Sequence, residues 1–76
     1  MDCLTDNYAV EVDFASKWAE AIGQSLYYSA RTGKKPGILL IIEKNPEKRY
    51  LRRLNFAIDE AKLPIKVWLI SPRDVK

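Results

Sequence analysis

Ala9-Val10-Glu11-Val12-Asp13-Phe14-Ala15-Ser16-Lys17 is the stretch on which the reading of this chain turns. From Tyr8 to Phe14 apolar and other residues alternate: Tyr8, Val10, Val12 and Phe14 fall on one face, and Ala9, Glu11 and Asp13 on the other. A period of two predicts a strand with one buried face. The strand ends in two carboxylates and passes directly into a helix, with Ser16 as its expected N-cap. Trp18, Ala19, Ile22, Leu26 and Ala30 recur at helical spacing and form the expected core stripe. Lys17, Gln24, Tyr28 and Arg31 lie on a second line of the same helix, each about a whole number of turns from the last. Thr32-Gly33 ends it, with Gly33 suited to a left-handed C-cap.

On the amino-terminal side, Met1 to Thr5 reads as a short strand. Asp6-Asn7 tolerates the left-handed conformation of a two-residue hairpin turn. A β-hairpin follows, with Asp2 or Cys3 near the Glu11–Asp13 end and the register open. On the carboxyl side, Lys34-Lys35-Pro36-Gly37 is a basic turn. Ile38-Leu39-Leu40-Ile41-Ile42 is a continuous apolar run, which predicts a strand buried on both faces. Asn45-Pro46 starts a second helix as N-cap and first-turn proline. Its apolar stripe is Tyr50, Leu51, Leu54, Ala57, Ile58 and Ala61, with Lys48, Arg49, Arg52 and Arg53 on the other side. Leu63-Pro64 stops it. Ile65 to Ile70 is a last strand, and Ser71 to Lys76 a polar tail. The order β-β-α-β-α-β predicts an α/β fold with a mixed sheet flanked by helices. The last three strands are expected parallel and the first antiparallel at one edge.

A chain of 76 residues is at most one small domain, and 47% hydrophobic content argues for a folded core. The net charge of +3 permits an anionic partner without demanding one. The chain has no histidine, which excludes Ser-His-Asp and Cys-His catalysis and histidine-based zinc sites within it. With one cysteine, Cys3, no internal disulfide forms, and the chain fits a reducing compartment. No apolar run reaches the ~20 residues of a membrane span, and the N-terminus does not read as a signal peptide. A cytoplasmic protein without membrane partners is the expectation.

Glu11 and Asp13, two residues apart on a strand, point to the same side, and Asp2 falls near them across the hairpin. Clustered carboxylates repel unless a positive charge joins them. A hard divalent cation does so, taking one or two carboxylates, waters and phosphate oxygens. Lys17 follows closely and is placed to stabilise charge on a phosphate or hold an attacking water. The plain alternative stands beside this: Glu11 and Asp13 as the solvent face of an amphipathic strand, and Lys17 as an ordinary exposed helix residue.

Glu11-Val12-Asp13, then Lys17, then Gln24-Ser25-Leu26-Tyr27-Tyr28 on the following helix, resembles the active-site segment of the PD-(D/E)xK nuclease superfamily. The Gln24-to-Tyr28 piece is similar to the glutamine–tyrosine motif of RecB-type nucleases, and Asp2 resembles the superfamily's first acidic residue. The resemblance implies a minimal restriction-endonuclease-like core hydrolysing DNA with Mg²⁺ or Mn²⁺. Asp2, Glu11 and the Val12 carbonyl would hold the metal, with Asp13 as an extra ligand or supporting group. Lys17 would be the catalytic lysine, Gln24 would orient the site, and Tyr28 would support nucleic-acid binding. Two features depart from the pattern. Asp13 occupies the usual lysine position, so the resemblance requires the lysine to have moved onto the helix at Lys17, and the family's usual leading helix and first strand are absent. A truncated or minimal form, or one completed by a partner subunit such as a second copy in a dimer, is the corresponding expectation.

Lys34 and Lys35 are either a solvated turn or rim contacts to a nucleic-acid backbone. The Lys48–Arg53 cations read as a solvated helix face, diluted by Glu47, Asp59 and Glu60. Tyr27 and Tyr28 are suited to stack on bases. Two other classes of function remain open: a non-catalytic nucleic-acid-binding or assembly module on the same scaffold, and a subunit whose apolar sheet edge pairs with another chain.

Overall fold

A computed structural model describes residues 2–71 of the chain. Met1 and positions 72–76 of the expected tail lie outside the described residues. The elements run β1 (Cys3–Leu4), β2 (Tyr8–Phe14), α1 (Trp18–Thr32), β3 (Lys35–Ile41), α2 (Lys48–Ala61) and β4 (Lys66–Ile70). The four strands lie side by side in chain order. β1 pairs antiparallel with β2, and β2, β3 and β4 are parallel, as the order of elements predicts. No helix among the described residues is long and apolar enough to cross a membrane.

Two crossovers of the same hand, stepping in the same direction across a sheet, put both helices on one face. A single core records this arrangement. Ile38, Leu40 and Ile42 of the β3 segment are buried with Ala21 of α1 and Leu54 of α2. Trp18, Ile22, Leu26, Leu51, Ile58 and Val67 pack around them. The chain is therefore two layers, and the expectation of a β3 buried on both faces is corrected: Leu39 and Ile41 point away from the helices and stay partly exposed. The reading of β2 is corrected too. Glu11 is in register with Ile38, so it shares the helix-covered face, and Ala9 and Glu11 are only 1% and 5% exposed. Phe14, on the opposite face, is 50% exposed. Alternation groups residues by face, but it does not say which face the helices take.

On the helix-free face Tyr8 and Trp68 meet edge to face, with centroids 5.2 Å apart. Between them lies Gly37, where an added Cβ would stand 2.7 Å from Trp68 Cζ3. Lys35, Pro36 and Gly37 are thus strand residues of β3, not the turn expected of them. Pro36 is tolerated there for a reason of alternation. Lys35 N–H donates to the Asn7 carbonyl on the β2 side at 2.9 Å, so the missing Pro36 N–H falls on the β4 side. Pairing with β4 begins only at Gly37.

The element ends also differ in detail. Among the described residues the one positive φ outside glycine belongs to Lys62, so Asp6-Asn7 is not a left-handed turn. Thr5 holds that hairpin instead: its Oγ1 accepts from Tyr8 N–H at 2.8 Å, and its N–H donates to the Tyr8 carbonyl at 2.8 Å. Ser16 does not cap α1; a 3-10 turn, Ala15–Lys17, leads into it without a side-chain cap. Asn45 is likewise the first residue of a 3-10 turn, Asn45–Glu47, rather than a cap. Glu47 Oε1 accepts from the Glu43 and Lys44 N–H groups at 2.7 and 3.1 Å. Gly33 closes α1 at φ 74° as expected.

α2 closes with Lys62 at φ 53° and paired bonds from Lys62 and Leu63 N–H to the Asp59 and Ile58 carbonyls. A side chain in this left-handed region costs roughly 1 kcal/mol that glycine avoids. Lys62→Gly is therefore expected to raise the melting temperature by about 4 °C. Gly37→Ala is expected to destabilise by about 1–3 kcal/mol through displacement of Trp68. Denaturant melts with the near-UV circular dichroism of the Tyr8–Trp68 pair check both.

Candidate active site

The hairpin and the start of α1 assemble one acidic corner. With Cys3 in register with Val10, Asp2 falls beside Glu11. Asp2 N–H donates to the Val10 carbonyl at 3.1 Å, and Val12 N–H donates to Asp2 Oδ2 at 2.9 Å. The N–H and C=O of one strand residue point to the same edge, so the Val12 carbonyl is directed toward the Asp2 side and away from β3. Asp2, Glu11 and the Val12 carbonyl are therefore neighbours.

Small residues create this burial. Ala9 on β2 and Ala21 and Ser25 on α1 are fully buried, which lets the helix lie close over the strand. Ser25 satisfies its own hydroxyl by donating to the Ile22 carbonyl at 3.0 Å. Burial raises the Glu11 carboxyl above its ordinary 4.5, and the charges of Asp2 and Asp13 raise it further. Asp13 is also raised, from 3.8, by burial and then by Asp2 and Glu20, with Lys17 opposing. Asp2 thus acts on both Glu11 and Asp13, Asp13 acts on Glu11, and Glu20 and Lys17 act on Asp13. Glu20 was not singled out from the sequence, although it sits three residues after Lys17, on the same helical line.

The donor set suits a hard cation. It consists of carboxylate and carbonyl oxygens, and Mg²⁺ commonly takes only one or two carboxylates and completes its shell with water and phosphate oxygens. Among the described residues no group of three or more histidine, cysteine, aspartate or glutamate residues is arranged to hold a metal. The fit is to an open site rather than to a protein cage.

The other expected site residues lie elsewhere. Gln24 is exposed on α1, roughly 10 Å along the helix axis from Lys17. Tyr28 lies a further turn on, half-buried, with its ring edge to face against Tyr27 at 5.2 Å. Lys34 and Lys35 stand at the opposite end of the sheet. Lys35 pairs with Tyr8 and Asp13 with Leu40, a separation of roughly 16 Å along the strands. The Lys34 ammonium is engaged with the Thr5 and Asp6 carbonyls, where it pins the hairpin turn. Neither lysine is brought to the acidic corner.

Compared with known proteins, the chain matches no family model, no curated protein and no solved structure.

Glu11 and Asp13 hold their protons more tightly in the folded chain than in the unfolded one. Their contribution favours the fold below the ordinary values of 4.5 and 3.8 and is lost as pH rises through the raised folded values. Glu11→Gln is therefore expected to melt higher than the parent chain at about pH 7, with the difference vanishing at about pH 3. Asp13→Asn is expected to behave the same way. Melting curves across that range check the sign.

Proposed function

We propose that this chain carries a metal-dependent nuclease centre of the PD-(D/E)xK kind, hydrolysing DNA phosphodiester bonds. The observation that supports this most directly is the nearness of Asp2, Glu11 and the Val12 carbonyl in the hairpin register, where burial and neighbouring carboxylates also push the Glu11 and Asp13 carboxyls up. Such a cluster is relieved by a divalent cation, and the phosphate of a bound nucleic acid completes the cation's shell.

On this reading Asp2, Glu11 and the Val12 carbonyl hold Mg²⁺ or Mn²⁺, with Asp13 as an additional or supporting ligand. When bound, the ion supplies a polarised phosphoryl oxygen and a water of lowered pKa. Lys17, exposed just ahead of α1, presents an ammonium to the phosphate as negative charge accumulates on its oxygens. α1, lying over Glu11, would limit the access of water to that carboxylate. Gln24 and Tyr28 extend the contact along α1, and Lys35 serves as a distant backbone contact. A cytoplasmic setting and a homodimer that covers the helix-free sheet face accompany this reading.

A non-catalytic nucleic-acid-binding module is the second reading. It is favoured by Asp13 at the place where the motif carries lysine, and by the absence of a three-ligand cluster among the described residues.

Cleavage of linear, single-stranded and branched DNA with Mg²⁺ or Mn²⁺ tests the proposal. Cleavage is expected in the parent chain and is expected to fall at least a hundredfold in Glu11→Gln and in Lys17→Ala, with the melt confirming that both fold. Undiminished cleavage in both variants sinks the assignment of these residues. No cleavage by the parent, with a melting temperature indifferent to either ion, selects the binding module.

A further inference from the structure

Because β2 and β3 are parallel and in register, Phe14 and Ile41 end at the same edge of the sheet. Both helices start from that edge, and α2 packs against the Ala15–Lys17 turn. Beside this contact is a groove of about 530 Å³ lined by Trp18, Arg49, Arg52, Arg53, Phe56 and Ala57. Trp18 directly follows Lys17 in the chain.

The lining has two characters. Trp18 and Ala57, both half-buried, form an apolar floor. Arg49, Arg52 and Arg53 form a cationic rim, and Phe56 stands among them 68% exposed. Phe56 is out of place as a core residue, since Leu51, Leu54 and Ile58 of the same helix are turned into the core. Two of the three arginines rest on Tyr50. Arg49 and Arg53 lie 4.8 and 5.7 Å from the Tyr50 ring centroid, and Arg49 Nη2 donates to the Tyr50 hydroxyl at 2.9 Å. Among the described residues no carboxylate lines the groove. Glu20, Glu47 and Asp59 each stand two positions from a lining residue; Glu47 Oε1 accepts from the Glu43 and Lys44 N–H groups, and its charge also acts on Arg49.

Guanidinium forks match phosphate oxygens, and aromatic faces take stacked bases without regard to sequence. A duplex keeps its bases inside the helix and leaves an aromatic floor unused. An acidic peptide would engage the rim but has no flat group for Trp18 and Phe56. We propose that this groove binds single-stranded nucleic acid, with an unpaired base against Trp18 and Phe56 and the flanking phosphates on Arg49, Arg52 and Arg53. As the substrate-strand site of the nuclease the proposal rests on that reading, whereas the binding itself does not require cleavage.

The test is fluorescence anisotropy of a labelled oligothymidylate of about 12 nucleotides, in EDTA, beside a duplex of equal length and with polyglutamate as competitor. The parent is expected to bind the single strand at least tenfold more tightly than the duplex, with little competition from polyglutamate. Arg52→Gln/Arg53→Gln is expected to weaken binding and to lower the slope of log affinity against log salt by about 1.4, roughly 0.7 for each phosphate contact. Phe56→Ala is expected to weaken binding about tenfold with that slope unchanged. Both changes lie on an exposed surface, and a melt confirms folding. In a Trp68→Phe background, oligonucleotide is expected to quench Trp18, then the chain's one tryptophan.

Equal affinity for duplex, equal competition by polyglutamate, or unaltered binding in Phe56→Ala overturns the proposal. A chain that binds in this manner in EDTA yet never cleaves with metal overturns the nuclease reading and leaves the groove standing. A chain that cleaves DNA while the groove variants bind and cleave like the parent does the reverse.

Discussion

The handedness of the two β-α-β crossovers is the constraint on which the rest of the molecule depends. With strands laid down in chain order, crossovers of one hand leave both helices on one side of the sheet. That side receives Ile38, Leu40 and Val67, and with them Ala9 and Glu11. A carboxylate that would be unremarkable on a solvated strand is thereby desolvated beneath α1. The other side keeps Tyr8, Leu39 and Trp68 without helical cover. The acidic corner and the uncovered aromatic face are two results of one topological choice.

The order of elements and the strand directions were legible because they rest on strong local patterns. These are the alternation of Tyr8 to Phe14, the apolar run around Ile38 to Ile42, and the helical stripe of Tyr50, Leu51, Leu54 and Ile58. Gly33 was legible for the same reason, since a left-handed helix end strongly favours glycine. The side of the sheet on which Glu11 lies was not, because a period of two is symmetric between faces and only the tertiary crossover breaks the symmetry. Ser16 and Asn45 misled because 3-10 turns lead into both helices and displace the caps. Gly37 read as a turn residue, whereas its use is to let Trp68 lie across β3 from β4. In the candidate site, the hairpin brought Asp2 or Cys3 toward the Glu11–Asp13 end with the register open, and the register of Cys3 with Val10 selects Asp2. Glu20 and the engagement of Lys34 were not legible, since both follow from how α1 and the hairpin turn settle on the sheet.

Asp2, Glu11, Asp13 and Glu20 lie around β1, β2 and the start of α1, while Arg49, Arg52 and Arg53 of α2 line the groove, with Glu47, Asp59 and Glu60 interspersed along the α2 segment. Both helices start at the end of the sheet where β2 and β3 hand the chain over to them, the place where ligands of parallel sheets tend to gather. On the proposed reading, the acidic corner takes the cation and the groove takes the strand.

The coincidence of spatial strand order with chain order also bears on how the molecule is made. Each strand's new neighbour is the one synthesised just before it, at most a crossover of about 30 residues away. No late strand must be inserted between two earlier ones, so the sheet can grow outward from the hairpin as the chain emerges. Loop-closure entropy is met in small instalments, which favours rapid folding for a mixed α/β chain. The same arrangement makes β4 the last of these four strands to join, and the core around Leu54, Ile65 and Val67 closes only when it arrives.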